Sequence, residues 1–155
     1  MTRILIFSDT HSHTDYARII LDRIDGDMFI HLGDYVRDFH DLSALYDHIP
    51  CHGVAGNGDF HANEPTEKII QIDGVSIFLT HGHGYGVKSG LKRLVKRTKD
   101  LGCDAALFGH THVPICQYQD GILLINPGGY NSMPQAGCAI AEIENGRIKG
   151  CLYTV

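Results

Sequence analysis

Short apolar runs that stop abruptly at polar residues organise this sequence. Six runs of strand length end in this way. The polar stretches that follow them are Ser8-Asp9-Thr10-His11, Gly33-Asp34, Gly56-Asn57, His81-Gly82-His83, Gly109-His110-Thr111-His112 and Asn126-Pro127-Gly128-Gly129. Nearly continuous apolar runs are typical of strands that are buried on both faces of a parallel sheet. The pattern therefore predicts a β-rich core with polar residues at the strand ends.

The first half of the chain alternates between strand and helix patterns. Strands are predicted over Arg3–Ser8, Met28–Leu32 and Cys51–Ala55, and helices over about Asp15–Ile24 and about Asp38–His48. In the first helix Ala17, Ile20, Leu21 and Ile24 recur at helical spacing on one face. This alternation predicts βαβ units and a parallel sheet.

The second half favours antiparallel hairpins. Asp73-Gly74, Asp120-Gly121 and Asn145-Gly146 each separate two β-rich runs, and such dipeptides are strong hairpin signals. An amphipathic helix is predicted over about Ser89–Leu101. Its polar faces carry Lys88, Lys92, Arg93, Lys96, Arg97 and Lys99, which either face solvent or contact an extended anionic substrate or partner. We expect an α/β fold of mixed α+β character, with two packed mixed sheets and helices outside.

Composition limits the possible settings and partners. A chain of 155 residues with 43% hydrophobic residues suits a single domain over residues 1–155. A net charge of -5 gives no overall attraction for nucleic acid, so there is no strong case for a nucleic-acid partner. The five cysteines are scattered and odd in number, and the apolar runs are far shorter than a membrane span. We expect a reduced, soluble, cytoplasmic protein without a signal peptide or membrane segment.

The strand ends together offer ligands for metal ions. Ligands of α/β sheets gather beyond the carboxyl ends of the strands. The candidates there are Asp9, His11, Asp34, Asn57, His81, His110 and His112. These are too many for one tetrahedral zinc ion and enough for two ions that share a carboxylate. Oxygen and nitrogen ligands without thiolate suit manganese, iron, zinc, cobalt or nickel. Asn57 is also explained as an ordinary turn residue, and isolated histidines elsewhere as surface or packed residues.

In their order along the chain, these motifs resemble those of the calcineurin-like metallophosphoesterases. The motifs are Asp9-x-His11, Gly33-Asp34, Gly56-Asn57-x-Asp59, His81-Gly82-His83 and Gly109-His110-x-His112. The resemblance covers essentially the whole chain and is strongest to the small, cap-less phosphodiesterase branch. It implies a four-layer αββα sandwich and two divalent metals. Asp9, His11 and His112 would hold the first metal, Asn57, His81 and His110 the second, and Asp34 would bridge them.

The resemblance also predicts the chemistry. A hydroxide between two divalent ions would attack a small phosphodiester; manganese is the first choice of metal, with Ni, Zn, Fe or Co as alternatives. Many relatives have His or Cys at the position of Gly58, and Asp59 here lacks the partner that it would orient. Because acid catalysis commonly contributes about 10²–10⁴-fold, we expect low turnover, best on aryl diesters. Asn57, Asp59 and His83 are the predicted catalytic residues, and His13 and His61 are weaker candidates for the missing acid.

Two other classes of function stay open. The retromer subunit with this fold is a protein-binding platform, so the chain could be a catalytically weak scaffold. A metal sensor or storage protein would bind the ions without turning over any ester. The predicted hairpins leave strand edges that could pair in a homodimer or a higher homo-oligomer.

Overall fold

The computed structural model describes residues 1–133 and 135–154. Within these residues, ten strands and three α-helices follow one another. The helices are α1 (Asp15–Arg23), α2 (Val36–Leu45) and α3 (Lys92–Asp100). The strands are β1 (Thr2–Phe7), β2 (Met28–His31), β3 (Cys51–Gly53), β4 (Glu67–Ile72), β5 (Val75–Thr80), β6 (Ala105–Leu107), β7 (Ile115–Gln119), β8 (Ile122–Asn126), β9 (Gly137–Glu144) and β10 (Arg147–Thr154). A short 3₁₀ helix covers His83–Tyr85.

The strands form two mixed sheets of five strands each. The first has the order β10-β9-β1-β2-β3, and the second has the order β4-β5-β6-β8-β7. In each sheet three neighbouring strands are parallel, β1-β2-β3 in one and β5-β6-β8 in the other. The three predicted hairpins are confirmed as the antiparallel pairs β4-β5, β7-β8 and β9-β10.

Alternate residues of the strands face two different hydrophobic layers, which explains the packing. In β1, Ile4 and Ile6 point into the core between the sheets, whereas Leu5 and Phe7 pack with α1 and α2. In the second sheet, Phe78 and Leu124 pack with the helix α3. The result is the predicted four-layer αββα sandwich.

Two helix starts differ from the sequence-based predictions. Helix α2 begins at Val36, two residues earlier than predicted, and the Val36 N–H donates to Asp59 Oδ1 (2.8 Å). A carboxylate at a helix N-terminus satisfies a free N–H and complements the helix dipole, but this one comes from a distant loop. Helix α3 begins at Lys92 instead of Ser89, since Gly90 has φ +146° and cannot continue a helix.

The parallel strands place the polar motifs at one end of each sheet. Asp9 follows β1, Asp34 follows β2, His81 follows β5, and His110 follows β6. The two sheets pack face to face. At this end of the second sheet, the Gly109 N–H, next to His110, donates to the His81 carbonyl (3.0 Å). Within the described residues, none of the helices is long and apolar enough to cross a membrane.

Candidate metal centre

Asp9 lies at the centre of the site with its carboxylate held in one orientation. Its side chain is fully buried. The Oδ2 atom accepts hydrogen bonds from Ser8 Oγ (2.6 Å) and from the His110 backbone N–H (2.9 Å). These two donors lock the carboxylate and leave Oδ1 directed at the histidines.

Three imidazoles point their Nε2 atoms at the two carboxylates. His112 Nε2 lies 3.2 Å from Asp9 Oδ1. His11 Nε2 lies 3.9 Å from Asp9 Oδ1 and 3.8 Å from Asp34 Oδ2. His81 Nε2 lies 3.7 Å and 3.6 Å from the same two oxygens. The ligand atoms form two groups, Asp9-His11-His112 and Asp9-Asp34-His81, and in each group they lie within 4.8 Å of one another.

The hydrogen-bonding state of these atoms shows that the site fits divalent metal ions. In the part of the chain that the structure describes, Asp9 Oδ1, His11 Nε2 and His81 Nε2 are buried side-chain atoms without a hydrogen-bond partner. A buried polar atom without a partner costs about 1–3 kcal/mol, and three such atoms converge here. Carboxylate oxygen and imidazole nitrogen are suitable ligands for divalent transition metals, so bound cations would satisfy all three.

The other ring nitrogens of two histidines are held by acceptors. His81 Nδ1–H donates to the Leu32 carbonyl (2.7 Å), and His112 Nδ1–H donates to Asn131 Oδ1 (2.7 Å). These bonds leave Nε2 of both rings free as a lone-pair donor. Histidines that bind metals are commonly oriented in this way. Asn131 therefore orients a candidate ligand, a role that its sequence position alone did not indicate.

Asp59 positions the loop that carries Asp34. Its Oδ2 accepts from the N–H groups of Asp34 (2.9 Å) and Gly56 (2.8 Å), while Oδ1 accepts from Val36. Asp34 Oδ1 in turn accepts from the Gly58 N–H (2.9 Å), which leaves Oδ2 facing the histidines. All three contacts of Asp59 are with backbone groups and make it a positioning residue. Its predicted catalytic role stays a prediction.

The remaining predicted residues lie at the rim of the site. The His110 ring centroid is 5.1 Å from that of His81, and the exposed His83 ring is 5.6 Å from His81 and 6.2 Å from His110. Burial lowers the pKa of His110 and of His83, and His81 lowers both pKa values further. Asn57 is exposed on the loop after β3, next to Gly58. The roles predicted for these three residues stay predictions.

The backbone around the site is strained. Five candidate ligands have positive φ angles, an uncommon conformation for residues with a side chain. They are Asp9 (53°), His11 (43°), Asp34 (47°), His110 (70°) and His112 (59°). Such strain persists only where the surrounding structure holds it, and it clusters at functional sites.

Close backbone approach explains two glycines of the site loops. A Cβ atom at Gly56 would lie 2.2 Å from Asp34 Oδ1, and one at Gly129 would lie 2.9 Å from Asp9 Cβ. In the Asn126–Asn131 loop, the Tyr130 N–H also donates to the Asp9 carbonyl (3.2 Å). The backbone of this loop therefore packs against the site.

A buried polar chain supports the loop between Asp9 and His11. His31 Nε2–H donates to Thr10 Oγ1 (2.9 Å), whose hydroxyl donates to Asp38 Oδ2, and His31 Nδ1 accepts from the Gly33 N–H (3.2 Å). Burial lowers the pKa of His31 to about 4. His31 is one of the isolated histidines that the sequence explained as surface or packed residues. The available signal was a titratable residue inside the apolar run of β2.

An αββα sandwich with carboxylates and imidazoles converging at its strand ends defines a class of divalent metal-binding proteins. The family model of the calcineurin-like phosphoesterase superfamily domain matches residues 2–146, and the chain belongs to this family. Among relatives, "Probable metallophosphoesterase YsnB" of Bacillus subtilis is 33% identical over 149 residues, 92% of this chain and 85% of that protein. "Phosphodiesterase MJ0936" of Methanocaldococcus jannaschii is 29% identical over 150 residues, 81% of this chain and 82% of that protein.

Solved structures share the whole fold. A conserved Streptococcus pneumoniae protein described as a predicted phosphoesterase superposes with a TM-score of 0.82 at 26% identity, covering 99% of this chain and 89% of its own. Vps29 of Entamoeba histolytica superposes with a TM-score of 0.78 at 20% identity, covering 99% of each chain. The second match concerns the fold alone.

Proposed function

We propose that this protein hydrolyses small phosphodiesters with the help of two divalent metal ions. The observation that carries the proposal is the convergence of three unpaired buried atoms, Asp9 Oδ1, His11 Nε2 and His81 Nε2. A phosphodiesterase among the relatives supports the choice of substrate class. Mixed oxygen and nitrogen ligands suit several divalent metals; manganese stays our first choice, with nickel, zinc, iron or cobalt as alternatives.

The residues divide into two candidate metal positions. Asp9, His11 and His112 would hold one ion, while His81, with His110 and Asn57 at the rim, would hold the other; Asp34 would be shared. When bound, two such cations neutralise phosphate charge and lower the pKa of water. The protein contributes the fixed orientation of each ligand: the donors to Asp9 Oδ2 and Asp34 Oδ1 direct the other carboxylate oxygens inward.

The pKa shifts agree with low turnover. Burial, and then the neighbouring His81, lower the pKa of His83, which disfavours the protonated ring that an acid catalyst needs. Burial likewise lowers the pKa of His110, which favours the neutral ring, the form that coordinates a metal. Leaving groups that need no proton, such as nitrophenolate, should therefore react best.

Gly58 stands at the position where the family resemblance implies His or Cys. A Cβ atom there would lie 3.1 Å from Asp34 Oδ1, so a side chain fits only if this carboxylate shifts by a few tenths of an ångström. We expect Gly58→His to raise turnover of alkyl esters if the missing acid limits the rate. The control Gly58→Ala adds the same crowding without an imidazole. A gain from both variants, or from neither, would mean that the missing acid does not limit turnover.

The function is tested by metal analysis of the purified protein together with a panel of phosphomonoesters and phosphodiesters under several divalent ions. We expect close to two metal equivalents and hydrolysis of aryl diesters that stops when the metal is chelated. A metal-loaded protein that hydrolyses none of these esters would overturn the proposal.

A scaffold function is the second candidate. The absence of a side chain at Gly58, where the family resemblance implies His or Cys, is the observation that favours it. In that case the protein would bind metal and turn over no ester, and the Gly58→His variant would be equally inactive.

A further inference from the structure

A mainly apolar cavity lies beside the candidate metal centre. Its volume is about 330 Å³, within the range of small-molecule binding pockets. Its apolar lining consists of Val87, Leu91, Phe108, Val113 and Ile115. Thr111 completes the wall, and Lys88 is the charged residue among the described lining residues.

Two of the cavity walls are continuous with the loops of the metal centre. Phe108 and Val113 flank the segment that contains His110 and His112. Thr111 lies between these two histidines, and its hydroxyl accepts a hydrogen bond from Asn126 Nδ2 (3.0 Å). The cavity therefore shares a rigid loop with two candidate ligands.

A third wall lies under the turn between His81 and His83. A Cβ atom at Gly82 would lie 3.2 Å from Val87 Cγ2 and 3.5 Å from Phe108 Cβ. The side chains of Val87 and Phe108 thus support the turn from the cavity side. A larger cavity of about 590 Å³ is lined by the β9-β10 turn, at the opposite end of β1 from Asp9, and has no such connection.

The charge of the cavity complements an anionic ester. Lys88 is exposed and lines the cavity together with Thr111, the residue between His110 and His112. The apolar walls offer a phosphate nothing to bind, whereas they suit the hydrocarbon part of an ester. A substrate with a charged phosphate and an apolar ester group would match both parts.

We propose that this cavity binds the aryl or alkyl ester group of the substrate while the phosphate lies at the metal centre. This inference rests on the proposed function and adds a substrate class, namely phosphate esters of apolar alcohols. Lys88 attracts the anion, whatever its ester group. The apolar walls discriminate among ester groups by size and hydrophobicity.

Two analogues that cannot be hydrolysed separate the contribution of the apolar walls from that of Lys88. They are benzylphosphonate and ethylphosphonate, in which CH₂ replaces the ester oxygen. Binding to the manganese-loaded protein is measured by titration calorimetry. Burial of the additional ring carbons should make benzylphosphonate bind about 10-fold or more tightly. A wild-type ratio near one would overturn the proposal.

Variants locate the effect in the cavity. Val113 is 58% exposed, so Val113→Asp should fold and should reduce the benzyl-to-ethyl ratio several-fold. Ile69 on β4 is also exposed (45%), and Ile69→Asp is the matched control that should keep the wild-type ratio. Lys88→Ala should weaken both phosphonates by a similar factor, whereas Lys92→Ala, at an exposed lysine that is not among the lining residues of the cavity, should not. An unchanged ratio in Val113→Asp would contradict the proposal.

The outcome is independent of turnover. If no ester is hydrolysed and the benzyl preference is still found, the proposed function fails and the cavity assignment stands. If diesters are hydrolysed without any benzyl preference, the cavity assignment fails and the proposed function stands.

Discussion

Replacing Asp34 by Asn should abolish metal binding at the candidate metal centre and at the same time stabilise the metal-free protein. The amide oxygen of Asn can keep the hydrogen bond from the Gly58 N–H that Asp34 Oδ1 now accepts. The amide NH₂ would then face the site and could donate to Asp9 Oδ1, which has no hydrogen-bond partner within the described residues. The substitution therefore removes a charge without disturbing the loop.

The magnitude follows from the distance between the two carboxylates. One oxygen of Asp9 and one of Asp34 lie within 4.8 Å, and the two side chains are 0% and 8% exposed. Two unit charges at this distance repel by about 3 kcal/mol at an effective dielectric constant of about 20. Relief of this repulsion should stabilise the metal-free protein by about 1–3 kcal/mol, equivalent to roughly 3–10 °C in Tm.

The assay is thermal unfolding with chelator and with manganese, combined with metal analysis and diesterase activity. Asp34→Asn should have a higher Tm than the wild type in chelator and should lose the stabilisation by manganese. Metal affinity should fall by more than the roughly 10–100-fold typical of residues that only orient a ligand. Asp47→Asn, which removes an exposed carboxylate, is the control and should match the wild type. The reasoning is refuted if metal-free Asp34→Asn is less stable than the wild type or if its manganese-dependent activity is normal.

Three further predictions concern the support of the site. Gly56→Ala should reduce metal affinity strongly because the new methyl group collides with Asp34 Oδ1. Gly84→Ala is the control and should keep the wild-type affinity, since position 84 has open space around it. Equal metal affinities of the two variants in a titration would contradict this prediction. Asn131→Ala should lower metal affinity about 10–100-fold by freeing the imidazole that Asn131 orients, and an unchanged affinity would argue against that role. Burial lowers the pKa of His31 from 6.5 to about 4, so on acidification the unfolded chain takes up a proton at a higher pH than the folded protein does. The contribution of His31 to the free energy of unfolding is therefore fully present above pH 6.5. It should fall by up to about 3 kcal/mol as the pH approaches 4. Denaturant unfolding across this pH range should show a smaller loss in His31→Gln, and an equal loss would exclude His31 as the cause.

Local signals were sufficient for most of the fold. The Asp73-Gly74, Asp120-Gly121 and Asn145-Gly146 turns are encoded by residues that accept positive φ angles, and all three form the predicted hairpins. The alternation of strands and helices in the first half predicted the parallel strands. Helix α2 was placed less well, because Asp59, the carboxylate that satisfies its first N–H, comes from a loop 23 residues further along the chain.

The sequence by itself determined which ligand types follow which strands, because strand length, apolar content and the polar stop at each end are local properties. Asp9, His11, Asp34, His81 and His112 could thus be chosen without coordinates, and the structure brings them together. Only the tertiary structure decided how they are held. The contact of the His110 N–H with Asp9 Oδ2 and that of the His81 ring with the Leu32 carbonyl join segments 101 and 49 residues apart in the chain. Such contacts depend on how the two sheets pack, and no local pattern of residues encodes that packing.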